Sequence, residues 1–591
     1  MGNCATGSGS DWSAFAIDYI SFLKLFGLAA VVYFTNLGTG ERFNTMLLGV
    51  ERLGFLQLLV EWIVVLVALS GVLFHPSMIF RTCWGTVIAT STALQWLFYR
   101  ISGNQMSVFD MLSLKEVKNW KTDTTMIMKR QSAYACWLFG TVIVLFVVPG
   151  GGLLTMVAAR ADTFWLGWLP LFCISFIAVE ILQQNGITPS PMPTQFSVWA
   201  MLIITATKCL LNPMPKRRGV DWQPQSIGKK QNIILLVDES VRGDYVSFGE
   251  NNRLTPGLAV LSDRLTSFGL AASGGNCSSY SNVIVRFGAV PDRISDTAKS
   301  NPSLFAFARK AGYRTVYIDA QAGYQAKGTG LQNFMTLAER SEVDGFYVLQ
   351  MGPGKRATDF QLADIVAAEL KSGQPVFIYA NKNGVHYPYH DRYPKDEDVY
   401  EPNPKSSTLD ARATMISSYR NGINFTVEKF MLYLFAQADL SNTTMIYTSD
   451  HGQRFSPGSY PHGMVRNPDP RTGIVPLWAY SSDRATAAAF AEGAKKCEGK
   501  ASHFLIAPTL YELMGYSRAD ISLTYPDSMF TGTTTAPRMS TGDIFGFFGS
   551  TALFWEIDLK YDYFEHDAQP QLISDRVSPQ PQGSDQVLTL V

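Results

Sequence analysis

The chain has 591 residues, more than a single hydrophobic core absorbs, so two or more domains are expected from length alone. Its 49 basic and 49 acidic side chains cancel, which removes any electrostatic reason to expect nucleic acid as a partner. Seven cysteines are too few and too scattered for a disulfide scaffold or a CxxC metal site; only Cys277 and Cys497 lie outside the N-terminal tail and the apolar runs, where a pair is conceivable in an oxidising compartment.

Residues 1–190 read as a transmembrane helical domain. Four apolar runs are long enough to cross a hydrocarbon core of about 30 Å, which takes about 20 residues. They are Ile20 to Leu37, Phe55 to Phe74, Met78 to Tyr99 and Ala135 to Ala158. A fifth, Phe164 to Leu182, is slightly shorter and carries Glu180 near its end, where a charge can reach the interface. Five spans are expected. The first run lacks a basic leader and a small-residue cleavage site, so it reads as an anchor and not as a signal peptide.

Phe196 to Leu211 is either a short span or a helix lying in the interface. The Lys- and Arg-rich loop from Arg100 to Arg130 would be cytoplasmic by the positive-inside rule, which requires six spans and an outside N-terminus. Five spans with an inside N-terminus put the rest of the chain on the same outer side. Residues 191–231 hold this helix and a basic linker with Lys216, Arg217, Arg218, Lys229 and Lys230, which either rests on lipid phosphates or is simply solvated.

From Asn232 the pattern alternates strand and helix. Asn232 to Val237 is a continuous apolar run of strand length, as expected for a strand buried on both faces. Similar runs recur at Thr315 to Ile318, Pro375 to Ala380 and Thr444 to Thr448, with helix-like stretches such as Thr358 to Leu370 and Ser417 to Gln437 between them. Such alternation predicts a mostly parallel sheet covered on both faces, with ligands bound at the carboxyl ends of its strands. This domain is expected over 232–566, and the Pro-, Gln- and Ser-rich tail 567–591 reads as disordered.

Nearly every such strand end carries a polar cluster. Asp238, Glu239, Ser240 and Arg242 follow the first run, and Asn381, Lys382, Asn383 and His386 follow the third. Ser449, Asp450 and His451 follow the fourth, with His462 beyond. Four of the chain's seven histidines, His386, His390, His451 and His462, fall in two of these clusters, so convergence on one site outweighs the bland reading of each cluster as a cap or a solvated edge. Carboxylate and imidazole together suit zinc or manganese, whereas calcium or magnesium would favour an all-oxygen set.

Strand-Asp-Glu-Ser-x-Arg, a small-residue turn at Gly274 to Asn282, His386-Tyr-Pro-Tyr-His-x-Arg-Tyr-Pro and Ser449-Asp-His-Gly occur in that order. The ordered set resembles the phosphoethanolamine transferases that modify lipid A and related envelope glycans, and more distantly lipoteichoic acid synthase and the arylsulfatases. The resemblance implies about five membrane spans followed by an α/β/α alkaline-phosphatase-like domain with a mostly parallel central sheet. It implies Glu239, Asp450 and His451 as ligands of one or two zinc ions, with manganese as the alternative. Asp238 is a further candidate ligand, because sulfatases use adjacent acids there, and His386 and His462 match histidines that hold the substrate phosphate or a second metal.

The nucleophile implied by the resemblance follows the second strand at the start of a helix, whose amides help hold a phosphoryl oxygen. The sulfatase spacing falls on Ser278, which would also be a metal ligand, followed by Ser281 and Asn282; counting from the cysteine of the transferase pattern falls on Ser279. Ser278 is favoured. Cys277 lacks the Cys-x-Pro-Ser-Arg context of a formylglycine sulfatase. Two positions depart from the transferase pattern: Ile474 stands where a histidine is common, and the soluble part lacks the cysteines for several disulfides. His503, in a stretch with core-helix spacing, is assigned a structural role.

The implied enzyme works as a monomer in a bacterial inner membrane with its catalytic domain facing the periplasm. It would move a phosphoethanolamine-type group from a membrane phospholipid, through a phosphoserine, to an envelope glycolipid or glycan. Rival readings are a glycerophosphotransferase, a membrane-tethered phosphodiesterase or sulfatase-like hydrolase, and a non-catalytic envelope scaffold.

Overall fold

The computed structural model describes residues 9–36, 52–102, 105–106, 108, 111, 125–150, 163–183, 192–211, 216–225, 230–248, 254–321, 335, 337–349, 358–387, 389–394, 397, 400, 412–455, 461–463, 468–546 and 552–564. They fall into two compact units, one built on the helices before Asn212 and one on the residues from Pro213 onward. The proposed tail 567–591 and most of the Arg100 to Arg130 loop lie outside the described residues.

The first unit holds α1 (Gly9–Thr35), α2 (Arg52–Leu73), α3 (Met78–Ser102), α4 (Thr125–Val147), α5 (Thr163–Gln183) and α6 (Ser197–Leu211). Among the described residues, no helix is long and apolar enough to cross a membrane. The unit exposes large apolar side chains and buries several polar ones within an otherwise apolar interior. Phe22, Phe26, Tyr33, Ile63 and Trp137 are exposed, while Lys24, Asn36, Arg81, Ser91 and Gln95 are buried. Lys24 Nζ donates to the Leu73 carbonyl at 2.8 Å, and the Ser91 hydroxyl donates to the Thr194 carbonyl at 2.7 Å. Gln95 Nε2 donates to Ser197 Oγ at 2.9 Å, so α6 is seated against α3 by a buried polar contact.

The second unit is organised by an eight-stranded sheet in the order β4-β3-β5-β1-β6-β7-β2-β8. Its strands are β1 (Asn232–Asp238), β2 (Thr266–Ala272), β3 (Arg314–Asp319), β4 (Gly345–Val348), β5 (Val376–Asn381), β6 (Thr443–Ser449), β7 (Ile474–Ser481) and β8 (Ala501–Ser502). Pairing is parallel throughout except where β7 meets β6 and β2, so β7 alone runs against the rest. All four strand runs read from the sequence lie in this sheet. Of the strands not read, β2 is interrupted by Ser267 and Gly269, and β7, although apolar from Ile474 to Tyr480, contains Pro476, which argues against a central strand.

All seven residues of β1 are buried, as its unbroken apolar run requires. On one face, alternate residues Ile233, Leu235 and Val237 join Tyr317, Tyr379 and Ile446 in a core with Phe305, Phe307, Leu510 and Tyr511 from covering helices. Burying each such large apolar side chain stabilises the fold by about 1.5–3 kcal/mol. The expected helix from Ser417 to Gln437 is one helical rod from Arg412 to Gln437 with a π-helical stretch at Asn424–Lys429. A separate pair, β9 (Arg538–Gly542) and β10 (Ala552–Glu556), is antiparallel. Cys277 and Cys497 are both thiols, so the conceivable disulfide is not formed.

Candidate active site

The central strands β1, β5 and β6 are adjacent and parallel, so their carboxyl ends deliver Glu239, Asn381 and Asp450 to one edge. In β1–β6 the register pairs Asp238 with Ser449, which sets the next residues, Glu239 and Asp450, side by side. Glu239, Asp450 and His451 each offer a ligand atom, and these atoms all lie within 4.8 Å of one another. All three residues are buried.

Each of the three is held by the local backbone. Asp450 Oδ1 accepts the amides of Ser240 at 3.0 Å and His451 at 2.7 Å. Ser240 reaches Asp450 by adopting a left-handed backbone at φ 63°, rare for a residue with a side chain, and its hydroxyl donates to Glu239 Oε1 at 2.5 Å. His451 Nδ1 donates to the Gly452 carbonyl at 2.8 Å, which turns Nε2 toward the carboxylates, 3.4 Å from Glu239 Oε1. Asp450 Oδ2 is buried without a hydrogen-bond partner among the described residues.

The electrostatics suit a cation. Burial works against ionising Glu239, but the hydrogen bond and charge of His451 outweigh it and hold the carboxyl well below its usual range. Burial, with the Glu239 charge beside it, pushes Asp450 well above. Burial alone would lower His451, yet Asp450 and Glu239 raise it to about 9. Two buried carboxylates at contact distance need a positive charge between them, and a divalent ion meets that need together with the orphaned Oδ2. The N,O donor set fits zinc or manganese.

Ser278 completes the group. It opens α7 (Ser278–Arg286), which follows β2 through the turn Ser273–Cys277. Its hydroxyl donates to Glu239 Oε2 at 3.1 Å and lies 3.4 Å from His451 Nε2. Ser279 is one position on, and its Oγ lies 3.5 Å from Cys277 Sγ. The structure thus brings Ser278 to the cluster and faces Ser279 toward the cysteine.

The turn before Ser278 is tightly built. A Cβ on Gly274 would come within 2.8 Å of Ile284, and one on Gly275 within 2.8 Å of Tyr280. Ser281 Oγ accepts the Gly275 amide at 3.0 Å. His503 Nδ1 accepts the Gly274 amide at 3.0 Å, and its Nε2 donates to Thr448 Oγ1 at 3.0 Å, two residues before Asp450. His503 therefore ties the Ser278 turn to β6. Burial holds its imidazole down to about 3, as this neutral role requires. The Tyr379 hydroxyl of β5 donates to Asn282 Oδ1, which ties α7 to the sheet, and Arg286 makes a wholly buried ion pair at 2.7 Å with Glu339 of the short helix Leu337–Arg340.

His462 stacks beside His451 with ring centroids 4.1 Å apart, and its Nδ1 meets Gln453 Oε1 at 3.3 Å. Burial and the neighbouring His451 charge push it well below the usual imidazole range. His386 is half-buried and close enough for its charge to be felt at Glu239 and His462. Its Nδ1 is engaged with the Tyr387 carbonyl at 2.7 Å.

Asp238 departs from the expected ligand set. It is wholly buried, but its Oδ2 accepts Lys382 Nζ at 2.5 Å and the Tyr447 hydroxyl at 2.8 Å, and its Oδ1 accepts the Glu239 amide. Successive residues at the strand end point to opposite sides here, and Lys382 and Tyr447 take up the Asp238 carboxylate while Glu239 faces the cluster. Lys382 was the missed residue, although a lone lysine among strand-end acids and histidines is a visible signal. Ile474 begins β7 inside an apolar cluster with Met539 and Trp555, so no site side chain comes from that position.

The sulfatase family profile matches residues 231–516. Among curated relatives, the chain is 24% identical over 278 residues to a phosphatidylethanolamine transferase, Mcr-1, of Escherichia coli, covering 42% of this chain and 50% of that one. It is 24% identical over 246 residues to the phosphoethanolamine transferase EptC of Escherichia coli O18:K1:H7, covering 39% and 41%. The chain thus spans about half the length, or less, of these curated relatives. Among solved structures, the integral membrane lipooligosaccharide phosphoethanolamine transferase A of Neisseria meningitidis superposes with a TM-score of 0.61 at 14% identity, over 86% of this chain and 98% of that one. At that identity the likeness shows the fold, an alkaline-phosphatase-like α/β domain preceded by a helical region.

Proposed function

We propose that this chain, whose residues 231–516 form a sulfatase-family domain of the alkaline-phosphatase/sulfatase superfamily, is a metal-dependent transferase of phosphoethanolamine. It would take the group from a membrane phospholipid through Ser278 and pass it to an envelope glycolipid or glycan. The observation that carries the reading is the Ser278 hydroxyl, placed at a helix start and within 3.1 Å of Glu239, in the same cluster as Asp450 and His451. The names of the two curated relatives support the transferred group.

Glu239, Asp450, His451 and Ser278 would hold one zinc or manganese ion, with no part for Asp238. Such an ion, when bound, lowers the pKa of a hydroxyl it touches and screens charge on phosphoryl oxygens. The protein's own residues do the rest. Glu239 Oε2 takes the Ser278 hydrogen bond and so aims the oxygen lone pairs at the phosphorus. The first amides of α7 face the phosphoryl oxygens. The Ser278 proton passes to Glu239 Oε2 as the Oγ–P bond forms and the P–O bond to the glycerol breaks, and His386 gives a proton to the departing diacylglycerol oxygen. The acceptor hydroxyl or phosphate then takes the group from Ser278 by the reverse order of proton movements.

A membrane setting is supported by the helical unit. Large apolar side chains exposed on its outside and cations and amides buried within suit lipid better than water. Five crossings by α1–α5 are proposed, with the catalytic unit on the periplasmic side of a bacterial inner membrane. The test is transfer of labelled headgroup from lipid vesicles to a glycolipid acceptor by the full chain. Loss of transfer in Ser278→Ala with transfer kept in Ser279→Ala is expected. Full transfer by both variants refutes the mechanism, and free phosphoethanolamine without a labelled acceptor marks a hydrolase instead.

A further inference from the structure

Behind the cluster lies a second charged centre that the mechanism leaves unused. Lys382, the first residue past β5, is wholly buried. Its Nζ donates to Asp238 Oδ2 at 2.5 Å and to the Thr426 carbonyl at 2.6 Å, and stands 4.0 Å from Asp359 Oδ2. The Phe430 ring covers it at 4.0 Å. Two carboxylates and a carbonyl around one positive charge form an all-oxygen set of the kind a hard divalent cation takes. Here an ammonium stands in it.

This ammonium sits where both walls of the site meet. Asp238 Oδ1, on the same carboxylate, accepts the Glu239 amide at 2.9 Å, and the Asp450 amide donates to the Asp238 carbonyl at 2.9 Å. On the other side, Asp359 accepts the amides of Asn383 at 2.8 Å and Gly384 at 3.0 Å, while the Val385 amide donates to the Glu239 carbonyl at 3.1 Å. Gly384 has φ 50°, and a Cβ there would lie 2.3 Å from Asp238 Oδ1, so the loop leading to His386 is pressed directly onto the carboxylate that Lys382 neutralises. An uncompensated Asp238 would disturb Glu239 and His386 together.

We propose that Lys382 is a resident cation: its ammonium takes the place of a second metal ion beside Asp238, so that the centre binds a single divalent ion, and it positions Glu239 and the His386 loop. This inference rests on the metal reading above and adds to it the count of ions and the residue that sets that count. Lys382 acts through Asp238 and the backbone, so it is a positioning residue and not a catalytic one.

The experiment is elemental analysis of the purified full chain after dialysis against zinc, repeated with excess manganese, magnesium and calcium, together with zinc affinity by chelator competition. One zinc per chain and no second ion under any condition is expected. Lys382→Met leaves the Asp238 charge without its cation and is expected to weaken zinc binding by about tenfold or more, as loss of a supporting partner behind a metal ligand does. The double variant Asp238→Asn with Lys382→Met removes both charges and is expected to return affinity to within about threefold of the wild type. Two ions per chain in the wild type overturn this inference while leaving the metal reading intact, and a chain that binds none overturns both. Unchanged zinc affinity in Lys382→Met also overturns the positioning role. Should that variant fail to fold, the wild-type count and the double variant still decide.

Discussion

Zinc binding to this chain should depend steeply on pH. In the protein without zinc, Asp450 and Glu239 raise the His451 imidazole to about 9 against the opposing effect of burial, so Nε2 carries a proton at neutral pH. Zinc needs that lone pair, and binding must expel the proton. Below the pKa, the apparent dissociation constant therefore falls about tenfold for each unit that pH rises. From about pH 6.5 to about pH 8.5, a group titrating near 9 gives on the order of 80-fold tighter binding, whereas an ordinary imidazole titrating near 6.5 gives only about twofold. Asp450, also raised, can only steepen the curve. The assay is competition with a fluorescent chelator at three pH values, with proton release measured by calorimetry in buffers of different ionisation enthalpy. A change of threefold or less over that range, or no proton released, would refute the electrostatic account of the cluster.

Three further outcomes follow from the geometry. Ser278→Ala should lower the transfer rate by about 10³-fold or more, as loss of a nucleophile does, and Ser279→Ala should leave it within about threefold, both read from single-turnover headgroup transfer. His503, held neutral at about 3 in the fold against 6.5 in the free side chain, makes the unfolded chain bind a proton that the folded chain refuses. Its contribution is thus complete above about pH 6.5 and is lost at up to about 1.4 kcal/mol per unit as pH falls toward 3; His503→Gln should flatten the fall in melting temperature between about pH 6.5 and 4.5. Arg286→Met should destabilise the catalytic unit by about 3–5 kcal/mol because it strands Glu339, its wholly buried partner at 2.7 Å, and Arg286→Met with Glu339→Leu should recover most of the loss in a thermal melt.

Much of the scaffold was visible in the residues. The four apolar runs that became β1, β3, β5 and β6 are strands buried on both faces, and such strands advertise themselves because no polar position interrupts them. β2 carries Gly269 at φ 72° and does not show that pattern, and β7 shows it from Ile474 to Tyr480 but with Pro476 inside, a residue that argues against a central strand. The helical unit was half visible: the apolar runs were plain, but which of their few polar residues face inward depends on how the helices pack. Lys24, for example, reaches carbonyls at Leu73 and Val148, far away in sequence.

For the candidate site, the strand-end rule and the order of motifs were enough to collect Glu239, Asp450, His451 and the Ser278 turn, because carboxyl ends of parallel strands converge whatever lies between them. Choices between neighbours needed the tertiary structure. Asp238 and Glu239 are both acids at one strand end, yet the pleat sends the first to Lys382 and the second to the cluster. Ser278 and Ser279 are equivalent by composition, but successive residues on a helix point about 100° apart, so only one reaches Glu239. His503 and Lys382 take their roles from partners far from them in the chain: His503 bonds Gly274 and Thr448, and Lys382 bonds Asp238 and Thr426. Residue types and local periodicity decide which elements form and where chemistry gathers; only the packed sheet decides which atom of each pair faces which, because direction is set by contacts the chain makes with distant parts of itself.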